Sequence, residues 1–231
     1  MSRPFPSARF TGICLIVAAA LVQIGYLVTP WEADGQATTA AYHDALAAHP
    51  EQSLWAATFL HFGWLVWAPA AFGIVSLLSP RGGKLLWIAG TLAILGTVSL
   101  NGLIVVDFYD LALAQELPRE QGVAISEKAS EPFQQILFQA PAVVGSILGT
   151  TLLAFALWRA GVVKLWAALL VLVGYVIVFA MPVGLLPFAI GGTLTMIGFI
   201  VAGVRILQVG DRDLRESPKS APSDAGAAVA A

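Results

Sequence analysis

Long apolar runs dominate the chain, and polar residues are gathered into the gaps between them. A helix crosses the roughly 30 Å hydrocarbon layer with about 20 apolar residues, at about 1.5 Å of rise each. Six stretches have that length, at residues 10–29, 54–79, 85–107, 135–158, 163–181 and 185–207. Pro182 and Gly184 break the last two apart, and Pro187 is suited to open the sixth. The first run is followed by PWEADG rather than by a small-residue cleavage site, so it reads as a retained helix and not a signal peptide. The pattern predicts an all-α polytopic membrane protein with six transmembrane helices. Residues 1–210 form one transmembrane domain, and the polar segment 211–231 reads as a disordered tail.

Two connections are long. Residues 30–53 contain TTAAYHDALAAH, whose alanines and leading threonines predict a short capped helix. Residues 108–134 are acidic and mixed, and predict one or two short helices broken at Pro118 and Gly122.

Composition agrees with the pattern. The chain is 58% hydrophobic and 11% charged, with a mean hydropathy of +0.81, where a soluble domain carries about 25% charged residues. Charge also sets an orientation. With six spans, ten of the twelve basic residues fall on one side: Arg3, Arg9, Arg81, Lys84, Arg159, Lys164, Arg205, Arg212, Arg215 and Lys219. Only Arg119 and Lys128 fall on the other. Basic residues in short loops mark the cytoplasmic face, so both termini are expected in the cytoplasm and both long connections outside a plasma membrane. The arginine-rich, alanine-rich composition fits a bacterial genome rich in G and C, and nothing in the chain points to nucleic acid.

Polar groups inside apolar spans are costly, and here they share a depth. Gln23, His61, Asn101, Gln139 and Tyr175 each lie several residues inside the outer end of their span, with Thr193 and Thr195 at similar depth in the sixth. Helical phase puts Gln23 on a face with Ala19 and Tyr26, and His61 with Trp64. It puts Asn101 with Gly90 and Thr97, and Gln139 with Ser146 and Thr150. Small and hydroxyl residues mark packing faces, so these groups are expected to point into the bundle. Asp107, at the outer boundary of span three, is the carboxylate best placed to pair with His61 or Asn101. The candidate polar pocket is therefore Gln23, His61, Trp64, Asn101, Asp107, Gln139 and Tyr175. Interhelical hydrogen bonding is the plainer account of the same residues.

Most site chemistry finds no support. A single intramembrane histidine does not suit a bis-histidine haem, and no cofactor is expected. His43 and His49 lie six apart beside Asp44 and Glu51, outside the i, i+4 spacing of a helical zinc pair, and read as a solvated loop with no metal. Cys14 is the lone cysteine, which leaves no disulfide or C-x-x-C pair. Gly145 and Gly149 read as a close helix-packing pair, and Trp55, Trp87, Trp158 and Trp166 as interfacial anchors. The favoured function is non-enzymatic binding of a small amphiphile, or of a membrane-protein partner, through an outward polar pocket in the bilayer. The alternatives are a membrane-embedded enzyme using His61 with Asp107 or Asn101, and a structural or assembly subunit of a membrane complex.

A first helix, a long external loop, the His49-Pro50 turn and a proline-containing second helix precede the basic turn RGGK at residues 81–84. Over the first hundred residues this plan resembles uncharacterised small six-helix bacterial integral membrane proteins. The resemblance implies a class and transfers no activity or catalytic residues.

Overall fold

The computed structural model describes residues 6–31 and 38–215. Over these residues the chain is all-helical, with no strand. Helix α1 (Ala8–Val28) starts where Ser7 accepts a hydrogen bond from the Phe10 amide at 3.2 Å. Helix α2 (Thr39–Ala48) starts the same way, with Thr38 accepting from the Ala41 amide at 3.1 Å, so the threonine cap legible in the sequence forms.

Pro50 opens α3 (Pro50–Pro80), and Gly83 separates it from α4 (Gly83–Glu116). Gly83 adopts φ 54°, a left-handed conformation that a side chain disfavours, and the RGGK turn depends on it. Helix α4 continues beyond the expected boundary at 107, carrying Asp107 and Asp110 up to the cap formed by α2 and α5 (Arg119–Ser130). Then follow α6 (Phe133–Arg159), α7 (Leu165–Ala180) and α8 (Leu185–Arg215).

Among the described residues, five helices are long and apolar enough to cross a membrane: α1, α3, α4, α6 and the Leu185–Asp211 part of α8. The run expected to give a further span forms α7, which is apolar but has 16 residues. Lys164 and Met181 take extended backbone at its two ends, and Pro182 follows.

Helix α1 packs between α3 and α8, α4 packs on α6, and α7 packs on α8. Small residues let backbones meet. A Cβ on Gly96 would collide with the backbone of Gly145 and Ser146, and one on Gly149 with that of Leu92 and Ala93. The Gly145–Gly149 pair is therefore the packing face of α6 against α4, as its spacing predicts. Leu15, Ile74, Leu153 and Phe199 fill the interior, whereas Trp87, Leu95 and Val176 face outward.

Helix α8 breaks at Gly210 (φ 79°) but stays helical to Arg215, five residues past the expected tail boundary. Leu214 is buried in the core, and the Asp211 carboxylate accepts from the Ala8 amide at the start of α1. The rest of the expected tail, residues 216–231, and the acidic Glu32 and Asp34 lie outside the described residues.

Candidate functional site

All six apolar helices contribute to one central cavity of about 160 Å3. Gln23 and Tyr26 come from α1, Trp64 and Trp67 from α3, and Leu100 from α4. Ser146 comes from α6, Tyr175 from α7, and Phe188, Gly192, Thr195 and Phe199 from α8. The lining is mainly apolar with a few polar groups, the usual make-up of a small-molecule site.

Gln23 is 3% exposed and has a fixed orientation. Its amide nitrogen donates to Thr193 Oγ1 at 3.1 Å and to the Phe188 carbonyl at 3.4 Å. A carbonyl only accepts, so the nitrogen must face it, and Oε1 is left buried with no partner. Gly192 makes room for that oxygen, since a Cβ there would collide with it. Thr195 Oγ1 is likewise buried and without a partner. Across the cavity, Thr150 donates to the Ser146 carbonyl, so the Tyr175 hydroxyl, 3.0 Å from Thr150 Oγ1, donates to it. Trp67 meets Phe199 edge-on, with centroids 4.5 Å apart. The site thus offers the free amide acceptor of Gln23 and the free hydroxyl of Thr195 within aromatic walls. An unpaired buried polar atom costs about 1–3 kcal/mol, and a guest with a hydroxyl or N–H would relieve that cost.

The predicted residues divide into three groups. Gln23, Trp64 and Tyr175 meet around the central cavity. Asp107 lines a separate chamber beneath the cap, of about 270 Å3, and Tyr26 and Phe188 border both spaces. His61, Asn101 and Gln139 line neither. Gln139 is exposed although Ser146 and Thr150 are buried. The reason is a π-helical turn at Pro141–Gly145, which widens the helix and rotates what precedes it off the α-helical phase. His61 and Asn101 are half-buried, with His61 Nδ1 and Asn101 Oδ1 enclosed and unpartnered. No hydrogen bond joins His61 to Asn101 or Asp107 among the described residues, so the pairing that an enzyme built on His61 would need has no geometric support.

The cap is more ordered than its sequence suggests. Tyr42, His43 and Asp44 each grip a different partner. The Tyr42 hydroxyl donates to Asp107 at 2.8 Å. His43, 2% exposed, lies 2.8 Å from Ser126 Oγ, which itself donates to Asp110 at 2.7 Å. Asp44 forms a two-pronged pair with Arg119 at 2.6 and 2.8 Å, and the Arg119 hydrogen bond holds its carboxyl below the usual range. The solvated-loop reading therefore fails for His43, which is a buried keystone, while His49 is exposed and ends α2. The apolar spacing of His43 with Leu46 was the available signal, since both are buried on one face of α2.

The His43–Ser126–Asp110 chain has the wrong polarity for a nucleophile, because the serine proton goes to Asp110 and not to the imidazole. Among the described residues, no group of three or more His, Cys, Asp or Glu side chains is placed to hold a metal ion. The chain matches no protein-family model, no curated protein and no solved structure.

Proposed function

We propose that the protein is a six-pass integral membrane protein that binds a small amphiphile in its central cavity. One observation carries this reading: Gln23 Oε1, fixed in orientation and without a partner, belongs to an aromatic cavity to which all six apolar helices contribute. A volume of about 160 Å3 is close to that of an engineered lysozyme cavity of about 150 Å3 that admits benzene. The matching guest has an apolar body of about that size and one hydroxyl or N–H for Gln23.

Several features support the membrane setting and the topology. The apolar side chains that face outward, such as Leu95 and Val176, suit a lipid surface. Helix α7, at about 1.5 Å per residue, covers about 24 Å, which modest local thinning accommodates. An even number of passes leaves ten of twelve basic residues on one side, which supports a plasma-membrane orientation with both termini cytoplasmic. Reporter fusions after residues 82 and 182 test it, and the cytoplasmic reporter should be active only after residue 82.

Binding is tested with 4-methylphenol and toluene, which differ by one hydroxyl. In nanodiscs, quenching of Trp64 and Trp67 fluorescence should saturate and favour the phenol by about 2- to 12-fold, the worth of one net hydrogen bond. Gln23→Leu should remove that preference and keep toluene binding. Absence of saturable binding, or an unchanged preference in the variant, would overturn the reading.

A further inference from the structure

The chamber beneath the cap holds a combination of groups that amphiphile binding does not use. Its walls include Tyr26, Trp31, Tyr42 and Phe188 around the carboxylate of Asp107. Trp31 stacks on Phe188 with centroids 4.2 Å apart, and its indole N–H donates to the Tyr26 carbonyl at 2.9 Å. The rings are therefore held in place before any guest arrives.

Asp107 is half-buried and accepts a hydrogen bond from Tyr42, yet among the described residues no basic side chain lines the chamber. The sequence explains why: no Lys or Arg occurs between Arg9 and Arg81, the stretch that supplies α2, α3 and all of α1 beyond its second residue. Arg119, the basic residue of α5 that meets α2, is committed to Asp44. Taking a carboxylate out of water without a counter-ion is costly, and a cation in the chamber would offset that cost. The surroundings select the kind of cation. Calcium or magnesium needs about six oxygen ligands, and one carboxylate with the hydroxyls of Thr29 and Ser53, both tied to backbone carbonyls, does not supply them among rings and aliphatic side chains. Aromatic faces instead attract organic ammonium groups through their quadrupole. Residues 38–53 and 107–133 carry eight acidic side chains against two basic ones, a balance that concentrates cations at this end of the bundle.

We propose that the cap chamber is a binding site for a small organic ammonium ion, with Asp107 as its counter-ion and Tyr26, Trp31, Tyr42 and Phe188 as its aromatic walls. The site is distinct from the central cavity and does not depend on a guest there.

Choline and 3,3-dimethylbutan-1-ol have nearly the same shape and differ in charge, which makes them suitable probes. Titrated calorimetrically into the full chain in nanodiscs, choline should bind at least about tenfold more tightly than the alcohol. Asp107→Asn keeps an acceptor for Tyr42 but removes the charge, and should erase that difference. Trp31→Leu retains Asp107 and should weaken choline by about fivefold, so the proposal stays testable if the first variant does not fold. Gln23→Leu should leave choline binding unchanged, which separates this site from the central one. The proposal is overturned if choline shows no binding at tens of millimolar or binds no better than the alcohol. It is equally overturned if Asp107→Asn has no effect, or if Gln23→Leu abolishes choline binding.

Discussion

Tyr42 donates a hydrogen bond to Asp107 at 2.8 Å, joining residues 65 positions apart and fastening the cap helix to the top of α4. The next two residues, His43 and Asp44, turn to α5 instead. One turn of α2 thus fastens both α4 and α5, elements far from it in the chain.

The buried member of that clamp should dominate it. Replacing His43 with alanine removes one of the partners of Ser126 and opens a hole beneath Gly122, whose nearest neighbours include the imidazole. The expected cost is about 1–3 kcal/mol, confined to the cap. Hydrogen exchange measures it: amides of α2 and α5 should exchange faster, with those of α1 and α8 unchanged. Unchanged protection of α2 would show that His43 is not the keystone.

Asp44 gives the cap a pH dependence of known sign. Its folded pKa is lowered by the Arg119 hydrogen bond, so the pair contributes above the unfolded aspartate value of about 3.9 and is lost as pH falls through the folded value. Both partners are exposed, so the effect is small and salt-sensitive. Asp44→Asn should speed α2 exchange at pH 7 and lose its difference from the parent once the pH has fallen through the lowered folded value of Asp44. A difference that grew on acidification would contradict the pairing.

Backbone contact between α4 and α6 predicts a contrast between two glycines. Gly145→Leu would drive a side chain into the backbone at Gly96 and should cost about 3 kcal/mol or more. Gly102→Ala meets nothing within 4 Å in the middle of α4, and should be neutral or stabilise by up to about 1 kcal/mol. Thermal unfolding in detergent compares the two, and equal effects would mean that α4 and α6 do not meet this closely.

Much of the fold is legible because apolar run length and helix-breaking residues act locally. The RGGK turn, the Thr38 cap and the Gly145–Gly149 face all follow from neighbours in sequence. The central site is legible in part. Gln23 and Tyr175 share a cavity because their helical phases are undisturbed, whereas the π turn at Pro141–Gly145 rotates Gln139 outward, and sequence spacing carries no mark of it. His61 shows the limit of depth as a guide. It lies one turn from Trp64, which lines the cavity, yet points its ring elsewhere and meets Phe62 edge-on. His43 was hidden for another reason: its partners Ser126 and Asp110 belong to other elements and become neighbours only when the cap closes.

The most direct test of amphiphile binding is a crystal of the full chain soaked in 4-bromophenol, read by bromine anomalous scattering. Amphiphile binding places a bromine peak inside the cavity bounded by Gln23, Trp64 and Tyr175, with the phenol oxygen within hydrogen-bond reach of Gln23 Oε1. Bromine found only on the outer faces of the helices, with the cavity empty, would contradict it.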